Sequence, residues 1–536
     1  MGRKSCSVVS LLLVFVAGAF LLTRLSCTSE PLRIQQAKTP ELIDAPFPMP
    51  HIARPSIPDR DFDIRGFGGV EGGKVKNTQA IREAIAAAAK VGGGHVVIPA
   101  GRWLTGAIHL DNNIDLHLLR DAELLFSQDV ADYLPVVFSR HEGIECYKYS
   151  AFIYADSKTN ITITGEGILN GQGKPWWEWK ESKRAVEQEL YAMGANGVPV
   201  AERIFDGREG RELRPAFFQP MNCTNVLVEG VTFLYGAFWT ITPTYCENVT
   251  VRNVRIETEG AYGHTPNGDG VNPSSSRNVL IEHCTFDTGD DCIAIKAGRD
   301  ADGLRVAHAT ENVVIRHCRG LRGHGGIVIG SETAGGIRNV YAFDCRFNGT
   351  DRIVRIKTAR GRGGVLENMW FQNLAADTIE QEALHINMVY TGSRLPSLPI
   401  TKATPVIRNI HYSNITCTYA KGRAVEILGL PESLVQSITI DSISMRARRG
   451  IACTDVRGIS FNSVKVVADS SPVVELTDCR RVIFNSIAIP SHADPFLHVG
   501  GIRSGEIVLR NSPVQSAKTV VRLGDDAPRR AVTVEN

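Results

Sequence analysis

The chain has almost no net charge. Its 59 Lys and Arg against 57 Asp and Glu leave a formal +2 over 536 residues. No basic field of that origin draws it to nucleic acid. Helical periodicity is also scarce. Only Thr78–Val91 (TQAIREAIAAAAKV) reads as a helix, with Asn77 or Thr78 as its cap. No long apolar run exists beyond about Val8–Leu22, which follows Arg3 and Lys4. That run is too short for a comfortable membrane span and has the shape of a secretory signal. The 12 cysteines show no pairing with histidine of the kind that binds zinc.

What is present is a repeat. NVLVEGVTF from Asn225 returns as NVTVRNVRI from Asn248, NVLIEHCTF from Asn278, NVVIRHCRG from Asn312 and NVYAFDCRF from Asn339. Weaker copies begin at Asn160, Asn368, Asn409, Ser437, Gly458, Arg481 and Glu506. Short apolar runs with period-two alternation, divided by Gly and Asn turns, are strands. Strands repeating every ~20–45 residues predict a solenoid of stacked β coils. Equivalent asparagines would form an amide ladder, one coil per ~4.8 Å. Cys284, Cys318 and Cys345 each follow a ladder asparagine by six residues, so they read as buried stacked residues rather than disulfides.

The same register organises the charged residues. Asp290 and His324 each lie twelve residues after a ladder asparagine, and Lys296 and Lys357 each lie eighteen after one. IAIK, IVIG and VRIK should therefore be one strand on three successive coils. Aligning DGV with DCI stacks Asp269 on Asp291, one coil apart. Alternation sends Ile295, Ile329 and Ile356 inward and Lys296, Arg355 and Lys357 outward to one groove. Carboxylates that close repel, so one pKa in the cluster should rise. A raised carboxyl can protonate a leaving oxygen while a neighbouring carboxylate activates water. The cations, an arginine fork above all, suit sugar carboxylates.

In order along the repeat stand NGD (Asn267–Asp269), DD (Asp290–Asp291), GHG (Gly323–Gly325) and RIK (Arg355–Lys357). In these marks the chain resembles glycoside hydrolase family 28, the polygalacturonases and their pectin-degrading relatives, from about Asp61 to the C-terminus. The resemblance implies an all-β, single-stranded, right-handed parallel β-helix with a short N-terminal capping helix. It implies inverting hydrolysis of an α-galacturonosyl bond without metal or other cofactor. Asp290 would be the general acid, and Asp269 and Asp291 would hold and deprotonate the water. His324 would support the acid's proton balance, Arg355 and Lys357 would bind substrate carboxylate, and Tyr390 lies where similar enzymes place a tyrosine near the substrate. Asn267 is a further candidate contact, and Lys296 is one on register alone, since the family match does not require it.

Two departures stand out. Gly268 replaces the middle Thr of NTD, removing a hydroxyl and adding backbone freedom. Arg299–Ala309 reads as an inserted loop near one end of the groove, which leans toward exo attack on chain ends. The tryptophans of KPWWEWK (Trp176, Trp177, Trp179) suit either sugar stacking or packing under a loop. Residues 1–27 are assigned to a signal peptide or lipoprotein signal, 28–58 to a Pro-rich linker or an arm on the coils, and 59–536 to the hydrolase domain. Cys27 offers a lipid anchor, although Arg24 stands where an apolar residue is wanted. The expectation is a secreted, periplasmic or outer-surface monomer acting on pectic polysaccharide or oligogalacturonide, tethered to a membrane through the N-terminus only, if at all. A hydrolase of rhamnogalacturonan or another decorated pectin, a calcium-dependent lyase and a non-catalytic carbohydrate-binding β-helix remain the alternatives.

Overall fold

The computed structural model describes residues 43–390, 396–491 and 493–535. The signal segment, Cys27 and the first part of the Pro-rich stretch lie outside the described residues. Among the described residues no helix is long and apolar enough to cross a membrane. The chain winds into a right-handed parallel β-helix, its strands paired coil to coil.

The asparagine ladder is present and longer than the repeat suggested. Each side-chain amide donates to the one before it, from Asn160 on Asn113 through Asn225, Asn248, Asn278, Asn312, Asn339 and Asn368 to Asn409. All nine have φ between 54° and 58°. Asparagine tolerates this left-handed conformation better than most residues. Where asparagine gives out, Ser437, Arg481 and Glu506 adopt the same φ, 55–56°. The turn is thus demanded by the fold, and asparagine is the residue that meets the demand most cheaply.

One residue past the ladder the side chains turn inward. Val226, Val249, Val279, Val313, Val340, Met369 and Ile410 stack in register and are fully buried. Burying such side chains stabilises by roughly 1.5–3 kcal/mol each relative to exposure. All ten described cysteines are buried and free. The thiols of Cys284, Cys318 and Cys345 face the carbonyls of Glu282, Arg316 and Phe343.

Helix α1 (Thr78–Lys90) closes the first coil with Ala80, Ile81, Ala84, Ile85 and Ala88. Asn77 is its N-cap position, but the side chain makes no cap hydrogen bond. It is diverted to the carbonyls of Val70, Val75 and Leu104, tying the cap loop to the next strand. The N-terminal arm does lie on the coils. Phe47 and Ile52 pack on Leu280 and Val314, and Arg54 pairs with Glu229 at 2.6 Å.

The expectation of a single helix fails. Helix α2 (Arg184–Ala195) buries only Leu190 and Gly194, too thin a stripe to show as periodicity. Helix α3 (Asp300–Val306) occupies the segment expected to be an inserted loop.

Four strands floor the groove: β1 (Ile293–Ile295), β2 (Ile327–Gly330), β3 (Val354–Lys357) and β4 (Leu384–Asn387). Ile295, Ile329 and Ile356 are in register and buried, as alternation required.

Candidate active site

Asp269 sits one coil before Asp291. Gly270 N–H donates to the Asp291 carbonyl at 3.0 Å, and Val271 bridges to Ile293. Both aspartates are buried, as are Lys296 and Lys357 at the ends of β1 and β3. The Lys357 ammonium donates to Asp291 Oδ2 at 2.7 Å. Lys296 donates to Glu332 Oε2 at 3.0 Å, lies 3.6 Å from Asp269 Oδ2, and sits 4.5 Å above the Trp239 ring. The two lysines neutralise protein carboxylates, and both also line the pocket, where the sequence suggested contacts to substrate. Arg355 differs: among the described residues it has no carboxylate partner, and its guanidinium lines the pocket. Tyr390 also lines it, 43% exposed, with its backbone N–H held by Asn387 Oδ1.

Asp290 has one crowded oxygen and one open one. Oδ1 takes His324 Nδ1 at 3.0 Å and the Asp291 backbone N–H at 2.9 Å. Among the described residues Oδ2 meets only Asn267 Nδ2, at 3.5 Å. Asp291 Oδ1 is buried without a hydrogen-bond partner. Gly268 does not loosen the NGD turn. A Cβ there would stand 2.6 Å from Thr258 Oγ1. That hydroxyl donates to the Gly268 carbonyl at 2.6 Å and accepts from Gly289 N–H at 3.0 Å. Thr258 thus supplies a hydroxyl in the space the glycine leaves, and pins the turns before Asp269 and Asp290 together.

One carboxyl is raised, but it is Asp269. Burial pushes it well above the usual range, and the charges of Asp290 and Asp291 add to that. Asp290 goes the other way. Burial raises it, but the hydrogen bond and charge of His324, with Lys357 and Lys296, outweigh burial and hold it low. His324 is raised in return, first by its hydrogen bond to Asp290. Glu332 is held at about 2, because Lys296, Arg362 and Arg299 overcome its burial. Within the cluster, protonation is thus favoured at Asp269 and His324 and disfavoured at Asp290.

The pocket holds about 550 Å³. Its floor is the repeat, but its roof is not. The hairpin Val137–His141/Ile144–Lys148 lies over the coils preceding Asp269. Ser139 Oγ donates to Gln219 Oε1 at 2.7 Å, Gln219 Nε2 to the Arg140 carbonyl at 3.1 Å, and Arg140 to Ser275 Oγ at 2.7 Å. Glu142 at the turn of the hairpin, Glu187 and Tyr191 of α2, and Arg299 before α3 form the adjoining wall. The Arg299 guanidinium stacks 3.7 Å from the Tyr191 ring centre and donates to Glu142 at 3.0 Å. Beneath them Arg203 and Asp302 form a fully buried ion pair at 2.8 Å. None of the KPWWEWK tryptophans lines the pocket. Trp176 is in the core, Trp177 packs on Tyr235 and Tyr262, and Trp179 on Tyr149. The lining aromatics are Trp239, Tyr191 and Tyr390.

The model of the family Glycosyl hydrolases family 28 matches residues 203–498. The chain belongs to that family. This family 28 glycoside hydrolase is 30% identical over 409 residues to a probable polygalacturonase of Vitis vinifera, covering 74% of this chain and 77% of that one. It is 28% identical to an exo-poly-alpha-D-galacturonosidase of Dickeya chrysanthemi, over 68% of this chain and 64% of that one. Among solved structures, the hyperthermoactive exopolygalacturonase of Thermotoga maritima superposes with a TM-score of 0.68 at 36% identity, covering 81% and 94% of the two chains. Within this family 28 hydrolase, the nine candidate residues named from sequence all meet at one pocket. Sequence reasoning missed Trp239, Glu332, Arg214, Glu187 and Thr258. Only Trp239, one coil before Asp269, carried a register signal that could have found it.

Proposed function

We propose that this hydrolase cleaves α-1,4-galacturonosyl bonds of pectin from a chain end, with inversion. The observation that carries the reading is the cluster of Asp269, Asp290 and Asp291, the first and last of them buried, sharing a pocket with Arg355, which has no carboxylate partner among the described residues. The acid cluster suits glycosidic cleavage and the guanidinium suits a uronate beside the cut. The polygalacturonase names of the relatives support the substrate class. The hairpin over the preceding coils supports action at an end, because it stands where a longer chain would have to run on.

The mechanism starts at Asp290. Substrate entry expels water around Asp290, which favours its neutral form. The proton is taken up from solvent at the open oxygen Oδ2, while His324 Nδ1, 3.0 Å from Oδ1, holds the other oxygen. Asp290 then gives a proton from its open oxygen, Oδ2, to the departing glycosidic oxygen. The attacking water gives its proton to Asp291, which lines the pocket. Asp269 helps to hold that water by hydrogen bonding. Arg355 holds the substrate carboxylate, while Lys357 and Lys296 keep the carboxylate charges tolerable.

Polygalacturonate digestion tests this. Monomer or dimer from the first time point, formed as the inverted anomer by NMR, is the expected result. An early ladder of oligomers would refute the chain-end reading, and a product absorbing in the ultraviolet would replace hydrolysis by elimination.

A further inference from the structure

Arg214 lies outside every motif, is 1% exposed, and reaches the catalytic turn from below. Its Nη1 donates to the Pro266 carbonyl at 2.8 Å and its Nη2 to Asn267 Oδ1 at 2.8 Å. The guanidinium stacks 4.7 Å from the Phe238 ring centre, and Glu187 Oε1 of α2 stands 3.5 Å away as counter-charge. The Lys148 ammonium donates to the Arg214 carbonyl at 2.6 Å, fixing the backbone that carries the side chain.

This arrangement decides which way Asn267 points. A guanidinium has donors and no acceptor, so it can receive only the amide oxygen. The amide nitrogen is thereby turned to the other side, where it meets Asp290 Oδ2 at 3.5 Å. Asn267 itself has φ 53°, a conformation the Pro266 carbonyl contact helps to hold. We propose that Arg214 is a positioning residue for the proton donor: by gripping the oxygen of Asn267 it aims the amide N–H at the open oxygen of Asp290. The N–H fixes that carboxyl's rotamer and stabilises the carboxylate that forms once its proton has gone to the leaving group. Glu187 makes the grip a junction, because the same residue lines the pocket wall. The inference rests on the reading of Asp290 as the general acid.

The test compares Arg214→Lys, Asn267→Ala, their double variant and Asp290→Asn, each first checked for a parental thermal melt. Two substrates are used: polygalacturonate, and an aryl galacturonide whose phenolate leaves without needing a proton. Arg214→Lys should lose about 10–100-fold in kcat on polymer with KM little changed, a fraction of what a general acid supplies. On the aryl substrate its turnover should stay near the parent's. The double variant should be no worse than Asn267→Ala alone, since both remove one interaction. Losses that multiply in the double variant, or equal losses on the two substrates, would overturn the proposal. Should Arg214→Lys fail to fold, Asn267→Ala carries the same substrate comparison with Arg214 in place. Asp290→Asn separates the two readings: parental turnover of polymer there would sink the acid assignment itself. An Asp290→Asn variant dead on polymer beside a parental Arg214→Lys would sink only the inference drawn here.

Discussion

The floor and the roof of the pocket are built on opposite principles. The floor is made by repetition: β1, β2 and β3 present residues eighteen positions after successive ladder asparagines, and every strand is held by the next. The roof and wall are made by single contacts between segments far apart in sequence. Arg203 meets Asp302, Arg299 meets Glu142, and Arg305 meets Glu145. A repeat spreads each error over many neighbours. A wall pinned by a buried ion pair does not, because the loss of one partner leaves a charge stranded without water. Chemistry therefore resides on the robust part of the molecule, and the feature proposed to select chain ends resides on the fragile part.

The sharpest break of this contrast is chemical. Asp290→Asn should lower kcat on polygalacturonate by about 10²–10⁴-fold, the usual range for a lost general acid, while binding measured calorimetrically persists. Parental turnover would remove the acid assignment. Next comes the wall. Arg203→Met leaves buried Asp302 with only the half-exposed Arg305 and the Glu145 N–H as partners, which should cost up to about 3 kcal/mol, the lower end for broken buried pairs. Hydrogen exchange should rise across residues 184–203 and 299–309 while the ladder strands stay protected, and early products should lengthen. Exchange rising equally over the whole coil stack would erase the distinction between floor and wall.

Smaller effects sharpen it further. Arg355→Ala should raise KM by about 1.5–3 kcal/mol worth of affinity, the range for hydrogen bonds to charged groups, and should reduce the salt sensitivity of KM. A KM equal to the parent's would show that Arg355 does not hold the uronate. The pH profile should have a basic limb set by His324. Its pKa is raised by Asp290, so the imidazolium is present below that value and lost as pH rises through it. His324→Gln should abolish that limb, and its survival in the variant would assign it to another group. Last, Asn312→Ala removes two ladder bonds, of 3.1 and 3.0 Å, at a residue with φ 57°. The cost should be about 1–3 kcal/mol in a melt with kcat unchanged. A fall in kcat would show the ladder and the floor to be coupled.

The same contrast explains what the sequence revealed. The floor was legible because it is periodic: counting from Asn278, Asn312 and Asn339 placed Lys296, His324 and Lys357 before any coordinates did. What counting could not supply was the partner of each lysine. Glu332, which takes Lys296, follows β2 in a turn without a motif, so Lys296 was assigned to substrate. The protonation pattern was half legible. Crowding implied one raised carboxyl, but the choice of Asp269 over Asp290 turns on the His324 contact and the charges of Lys357 and Lys296 at Asp290. The roof was illegible for a physical reason. The hairpin at 137–148 and helix α2 are set by contacts such as Arg140 with Ser275 and Arg203 with Asp302, separated by 135 and 99 positions. Neither has a periodic signature.

The hairpin over Gln219 has a kinetic consequence as well. If freed sugar lies beneath it, the remaining polymer stands between that sugar and solvent. The remnant must depart before the sugar can, so every cut ends one encounter and the next begins by fresh capture. Such an enzyme nibbles many strands in parallel and shortens a population evenly, instead of travelling down any one of them.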